Sequence, residues 1–404
     1  MKIIKLILNI IISAILYYFI YNSFASYLTF SIWMLFLITN YHMLSLKRNK
    51  NFTDKNIKVK NRYHFTLVVP VKNEEKNIKN SLINIEKINY PKDKYMVLVI
   101  NDNSTDSTWE LLNNMDLPNN FKLVNRIRKE GFVSGVLNDA IESIDFETDI
   151  IGIADSDCIV SPNILETVNL KYQDFVGGVQ IQEWHYNLDR KICQPQHLSV
   201  IYDNFKMLKE PYFKVGHFFN YFLFKNIKYN EKSILEDMEY SNAILDNSYP
   251  VEVISDVLIY RTFPENFKSV YSQQYRYCLG LNMVNIEKEI INPDIILGFN
   301  LIFSFFTIFY NFQVGFLLFT FFNFLGLLLI NHVVSFYYQD IHESALKNAP
   351  YLLKNIISHQ NKVRYTLTTV IYTNVFQILL LILRIFSFIR YCLGIERIVW
   401  NRFK

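Results

Sequence analysis

Asp149-Ile-Ile-Gly-Ile-Ala-Asp155-Ser-Asp157-Cys-Ile-Val160 is an apolar run of strand type closed by two carboxylates at positions i and i+2. Ser161-Pro162 follows as a helix-start signal. In an open α/β sheet, ligands bind beyond the carboxyl ends of the strands, so Asp155 and Asp157 are expected at such an end. Two hard oxygen donors there suit Mg²⁺ or Mn²⁺, which take few protein carboxylates and share the rest of their shell with phosphate. Alone, an Asp-x-Asp in a turn is common turn chemistry. Its neighbours decide what it means.

Upstream, Phe65-Thr-Leu-Val-Val-Pro70-Val71 reads as a buried strand, and Lys72-Asn73-Glu74-Glu75 leads into a helix. Tyr90-Pro91 breaks the chain before a second run, Tyr95 to Ile100. That run ends in Asn101-Asp102-Asn103-Ser104-Thr105-Asp106-Ser107-Thr108. Strand, acidic turn and Ser/Thr-capped helix is a βαβ layout, and it puts Asp102 at a strand's carboxyl end. Phe121 to Asn125 and Ile150 to Ala154 supply further strands around a helix that includes Gly135 to Ile144. The alternation predicts an α/β fold, a mostly parallel sheet covered by helices on both faces. No GxGxxG and no GxxxxGK[ST] occurs, so phosphates must be handled by metal and cations.

Composition sets the wider frame. The 404 residues are 51% hydrophobic and 16% aromatic, with formal net charge +4. No Asp, Glu, Lys or Arg occurs in Leu6–Leu46, Ile295–Gln339 or Tyr365–Leu383. A membrane span needs about 20 apolar residues, so these stretches predict an N-terminal transmembrane hairpin at 1–46 and a C-terminal transmembrane region at 295–404. The latter divides into two spans in 295–339, one membrane segment in 365–388 and a basic tail. Five spans would put that tail outside, whereas its charge says inside. The linker at 47–64 carries Lys47, Arg48, Lys50, Lys55, Lys58, Lys60 and Arg62 against Asp54 alone. By the positive-inside rule it places the globular domain, 65–280, in the cytoplasm of a multi-pass cell-membrane protein. The stretch 281–294 reads as an interfacial amphipathic helix. Cys158, Cys193, Cys278 and Cys392 form no CxxC pair, against a disulfide framework or zinc site.

Several motifs in order resemble those of the membrane-bound family 2 glycosyltransferases, the group of cellulose, chitin and hyaluronan synthases. They are Val69-Pro70 with Asn73-Glu74-Glu75, Asn101 to Asp106, Asp155-Ser156-Asp157, Gly177-Gly178-Val179-Gln180, Glu236-Asp237 and Gln273-Gln274-Tyr275-Arg276-Tyr277. The resemblance covers about residues 65 to 280 and the flanking stretches. It implies a GT-A-like fold, with Glu74 at the nucleotide-facing turn and Asp102 on the nucleobase or ribose. It also implies Asp155 and Asp157 at the metal and diphosphate, Asp237 as catalytic base beside Glu236, Arg276 against the diphosphate, and Gln273 and Tyr277 at the acceptor or channel mouth. Expected partners are a nucleotide-sugar donor, most simply a UDP-sugar, a glycan or lipid acceptor, membrane lipids and an export or accessory protein, with no nucleic acid. Two departures stand out. Gly131-Phe-Val-Ser-Gly-Val-Leu-Asn138 lacks the lysine that many relatives carry, leaving Arg126, Arg128 or Lys129 to meet the diphosphate, and Tyr277 replaces the usual Trp.

The chemistry follows independently. A leaving diphosphate must be neutralised, which a divalent cation at Asp157 with Asp155 does. An acceptor hydroxyl must lose its proton to a base, and one base suffices for a single inverting displacement. Asp237 is that base, although Glu236-Asp237-Met-Glu239 also reads as an acidic helix start. Arg276 suits a diphosphate by its guanidinium fork. The expected function is an inverting, metal-dependent hexosyl transfer to a growing polysaccharide, coupled to translocation of the product. The alternatives are a non-processive enzyme acting on a lipid and a catalytically silent nucleotide-binding subunit.

Overall fold

The computed structural model describes residues 63–208, 211–287, 338–360 and 367–393. The expected hairpin at 1–46, nearly all of the basic linker and the paired spans at 295–337 lie outside the described residues. The order is β1 (Phe65–Val71), α1 (Ile78–Glu86), β2 (Tyr95–Asn101), α2 (Thr108–Asn113), β3 (Phe121–Asn125), α3 (Phe132–Ser143) and β4 (Ile150–Ile153). Next come β5 (Ile159–Val160), α4 (Ile164–Lys171), β6 (Gly178–His185), α5 (Cys193–Met207), β7 (His217–Asn220), α6 (Tyr221–Asn226), α7 (Glu236–Asp246), β8 (Val251–Arg261) and α8 (Phe267–Glu287). A helical stretch at 338–348, α9 (Tyr351–His359) and α10 (Leu367–Cys392) complete the described chain.

The strands make one eight-stranded sheet in the order β3-β2-β1-β4-β7-β6-β8-β5. β1 pairs in parallel with β2 and β4, and β2 with β3, as the alternating sequence predicts. β6 also pairs in parallel with β8, so the sheet is mostly parallel as expected, with short antiparallel pairings added to it. β7 runs antiparallel to both β4 and β6, and β5 antiparallel to β8. β5 and β7 are two and four residues long, too short to show a period-2 signal.

Both faces are covered. Phe65, Leu67, Val69 and Val71 of β1 turn to one side, where they pack with Ile78, Leu82 and Ile85 of α1 and Ile164, Leu165 and Val168 of α4. Val68, Leu98, Ile100, Ile151 and Ile153 turn to the other, against Val136, Leu137 and Ala140 of α3. This two-sided burial is why β1 and β2 read as continuous apolar runs. Each such fully buried aliphatic side chain contributes roughly 2 kcal/mol. A third cluster, around Trp184, Val257, Tyr260 and Phe263, is closed by Tyr338, Ile341, Ala345, Leu353 and Ile357. The stretch beyond residue 337 thus adds to the same domain.

The expectation of membrane spans is corrected for the described residues: no helix among them is long and apolar enough to cross a membrane. The segment expected in the membrane at 365–388 is α10, which packs along α8 and α5. Its Phe386 meets Tyr275 at 6.3 Å between ring centroids, and Tyr391 packs on Ile234 and Leu279. Arg384 and Arg390 interrupt its apolar run. α8 continues from Phe267 through Gly280 to Glu287, so the chain has no break at the boundary expected there.

Candidate active site

The carboxyl ends of β1, β2 and β4 lie side by side, with Val71 opposite Asn101 and Val68 opposite Ile153. This register brings the three acidic turns of the sequence to one edge. In the first, Asn73 takes the left-handed conformation (φ 55°) and accepts from the Thr105 N–H at 2.7 Å, while its own N–H donates to Ser104 at 3.0 Å. The β1 and β2 turns are thereby tied together. Glu74 is buried, its N–H donating to Thr108 Oγ1 at 2.8 Å and its carboxylate accepting from Asn77 at 2.9 Å.

Asp102 is buried between two cations. Lys72 Nζ is 2.8 Å from Oδ2, and Arg126 Nη1 is 2.7 Å from Oδ1. Arg126 also donates from Nε to Asp139 at 2.7 Å. Arg128 holds Glu231 at 2.6 Å and Asp139 at 3.0 Å. The two arginines that the sequence offers in place of the missing lysine are therefore engaged with carboxylates.

Beyond β4, Asp155, Asp157 and Cys158 offer ligand atoms that all lie within 4.8 Å of one another. Arg261, the last residue of β8, faces them: Nη2 is 3.7 Å from Asp155 Oδ2 and 3.8 Å from Asp157 Oδ1, and Nη1 is 3.7 Å from Glu183 Oε2. Burial pushes the Asp155 carboxyl up to about 6; Asp157 and Glu183 add to the rise, and Arg261 and Arg276 oppose it. The donor set fits a hard divalent ion, because two carboxylates provide oxygens. The Cys158 thiol is held well above its ordinary value by burial, so it stays protonated and is a poor ligand.

Glu236 and Asp237 open α7. Burial pushes Glu236 up to about 7, with Asp155 and Glu239 adding to the rise while its own backbone N–H and Arg276 oppose it. Burial, then Glu236 and Asp155, hold Asp237 well above its usual range against Arg261 and Arg276. These mutual effects put Asp155, Glu236, Asp237 and Arg276 in one electrostatic neighbourhood, although they come from three separate segments. Arg276, half-buried on α8, lies 5.4 Å from the Tyr277 ring. Gln273 is also half-buried, one helical turn earlier. Burial works against the charge of Lys214, but Asp203, Tyr212, Glu183 and Tyr277 raise it above its ordinary value, which places Tyr277 beside that lysine.

Arg261 and Glu183 went unread in the sequence, whereas His217, in Lys214-Val-Gly-His217, stands where the resemblance places an acceptor loop. His217 opens β7 after Gly216, whose φ of +73° provides the turn. Gln180 fixes this loop by donating to the Val215 carbonyl at 2.8 Å and accepting from the Lys214 N–H at 2.6 Å. His217 Nδ1 is 2.7 Å from the Lys214 carbonyl, which can only accept, so the proton sits on Nδ1. Nε2 then accepts from Tyr229 at 3.2 Å and lies 3.8 Å from Asp237 Oδ1. Burial pushes this imidazole down to about 4, against the Lys214 carbonyl. Arg261 ends a strand with no motif around it, and Glu183 is a buried acid in β6. The charged partners of Arg261 are all remote in sequence, as are those that Glu183 finds in Arg261 and Lys214, so no local spacing marks them.

Two family descriptions match the chain: "Glycosyl transferase family 2" over residues 66–233 and "Glycosyl transferase family group 2" over 150–389, more than half of it. A probable glycosyltransferase of Sulfolobus acidocaldarius is 24% identical over 260 residues, 61% of this chain and 55% of that protein. A beta-monoglucosyldiacylglycerol synthase of Nostoc sp. is 32% identical over 123 residues, 29% of this chain and 25% of that protein. The chain thus spans about half the length of the first relative and a quarter of the second. Among solved structures, the mannosyltransferase PcManGT from Pyrobaculum calidifontis, in complex with GDP-Man and Mn²⁺, superposes with a TM-score of 0.56 at 15% identity. That match covers 96% of this chain and 100% of the other, and the fold is therefore GT-A-like. With matches that run from residue 66 to residue 389 across this one sheet and its acidic edge, the chain belongs to the family 2 glycosyl transferases.

Proposed function

We propose that this protein transfers a hexosyl group from a nucleotide diphosphate sugar to an acceptor hydroxyl, by single displacement with inversion. The observation that carries the reading is the convergence of Asp155, Asp157, Glu236, Asp237 and Arg276 at one edge of the sheet. Asp155 and Asp157 would hold Mg²⁺ or Mn²⁺, which when bound supplies Lewis-acid neutralisation of the leaving diphosphate. Glu74 and Asp102, at the ends of β1 and β2, form the nucleoside end of the donor site. Lys72 and Arg126 hold the Asp102 carboxylate in place. Arg276 adds a guanidinium toward the diphosphate.

Asp237 takes the acceptor proton. Burial and the like charges of Glu236 and Asp155 make this carboxylate a stronger base than an ordinary aspartate, which suits that task. Glu236 beside it keeps that value high, and Gln273 and Tyr277 line the acceptor end. The acceptor we favour is a growing glycan. A second reading, a single addition to a lipid hydroxyl, draws support from the partial similarity to the Nostoc synthase.

The test is a panel of UDP- and GDP-sugars with Mn²⁺ or Mg²⁺, with nucleotide release followed in the presence of oligosaccharide or diacylglycerol acceptors. Metal-dependent release with one donor supports the reading, and product size separates a polymer from a single addition. Failure of every donor with both acceptors, in protein shown to bind nucleotide, would refute transfer in favour of a silent binding subunit.

A further inference from the structure

Arg261 stands in an unusual position for a buried guanidinium. Its side chain is 17% exposed, and three carboxylates surround it at 3.7, 3.8 and 3.7 Å. These separations exceed hydrogen-bond length, so the contacts are electrostatic and leave the fork undirected. Glu183 Oε2 is buried and makes no hydrogen bond, so it remains able to accept one from Arg261. Lys214 holds the opposite oxygen, Oε1, at 3.8 Å and reaches Asp203 at 3.5 Å. A register shift in the β6–β8 pairing, between Ile181 and Glu183, sets Glu183 beside the end of β8. The ion pairs run Asp155 and Asp157, Arg261, Glu183, Lys214, Asp203: four carboxylates and two cations.

We propose that Arg261 is a resident counter-cation for the Asp155–Asp157 pair, weakening divalent metal binding there until a donor diphosphate is present. The inference rests on the metal-dependent transferase reading above. A divalent ion arriving alone must share both aspartates with a guanidinium of the same sign, and at these distances the repulsion is not screened by salt. A diphosphate brings the negative charge that lets both cations stay. Arg261 can then close on Glu183 Oε2 as a directed, charge-assisted hydrogen bond. Metal and donor binding are thereby coupled, and by linkage each tightens the other equally. Arg261 acts here as a positioning residue.

The experiment measures Mn²⁺ binding to the full chain by the electron paramagnetic resonance signal of the free ion, with and without UDP or GDP. In the wild type, Mn²⁺ alone should bind roughly tenfold or more weakly than with the diphosphate that the protein accepts. Arg261→Gln should tighten Mn²⁺ alone about tenfold and shrink the coupling, while Arg261→Lys, which keeps the charge, should stay close to wild type. Glu183→Gln should act in the opposite direction and weaken Mn²⁺ alone, because Arg261 loses its alternative partner. Thermal unfolding identifies which variants are folded, and Glu183→Gln decides the matter if Arg261→Gln is not. Folded Arg261→Gln that binds Mn²⁺ no more tightly than wild type, or Glu183→Gln that leaves it unchanged, would overturn the proposal. Absence of Mn²⁺ binding to the wild type even with nucleotide would instead overturn the metal-dependent reading, and this inference with it.

Discussion

Between pH 7 and pH 4 His217 should withdraw stability from the fold, alongside His185 and His197, which burial also holds low. The His217 imidazole is fully buried, stacked on Phe213 at 4.6 Å, with Nδ1–H donated to the Lys214 carbonyl and Nε2 accepting from Tyr229. Burial lowers its folded-state value from 6.5 to about 4. The unfolded chain takes up a proton on His217 as pH falls through 6.5, and the folded protein does not until about 4. The stability this side chain contributes is thus complete above pH 6.5 and is lost downward through that window. At about 1.4 kcal/mol per unit, the loss reaches about 2 kcal/mol at pH 5 and about 3 kcal/mol at pH 4. The assay is urea unfolding of wild type and His217→Gln at half-unit pH steps, with the difference between the curves plotted against pH. Asp237 lies 3.8 Å from Nε2 and titrates in both proteins, so the difference reports the imidazole together with its coupling to that carboxylate. Parallel curves would show that His217 takes up its proton alike in the folded and unfolded chain, and would refute the buried neutral imidazole.

Other perturbations have signs of equal clarity. Arg126→Met removes a buried partner of both Asp102 and Asp139 and should destabilise by about 3 kcal/mol in denaturant unfolding, with Lys72 limiting the loss. Gly216→Ala forces a side chain onto φ +73° and into the Ile259 side chain; about 2 kcal/mol of stability should go, with His217 displaced from Asp237 in the amide NMR spectrum. Asp157→Asn should abolish the Mn²⁺ dependence of nucleotide binding, read by titration calorimetry, while leaving the melting curve nearly unchanged.

Much of the domain is legible in the sequence because its strands are long and buried on two sides. Phe65–Val71 and Tyr95–Asn101 stand out as apolar runs closed by acidic turns, and β1, β2 and the acidic turn of Asp155 fall where those runs end. The antiparallel pairings are not legible in this way. His217–Asn220 is four residues long and carries a histidine and an asparagine, so neither length nor alternation identifies it as the strand that reverses the sheet. Apolar composition also misleads. Leu367–Cys392 reads as a membrane segment by hydropathy, yet it packs on α8 through Phe386 on Tyr275 and Tyr391 on Leu279. A surface helix and a spanning helix share that composition, and only the packing separates them.

The proposed site divides along the same line. Asp102, Asp155, Asp157, Glu236 and Asp237 sit in short motifs whose residues are neighbours in sequence. Arg261, Glu183, Lys214 and His217 act through partners brought together by the β6–β7–β8 pairings, which no spacing rule encodes. Arg126 and Arg128 show the converse: each is a plausible diphosphate ligand by sequence, but the fold commits them to Asp102, Asp139 and Glu231.

The most direct test of the central claim compares wild type and Asp237→Asn with the donor the protein accepts, measuring sugar transfer and donor binding on the same preparations. Transfer should fall by about 10²- to 10⁴-fold in the variant while donor binding stays within about threefold, the signature of a lost general base. Transfer by Asp237→Asn at the wild-type rate would contradict the account.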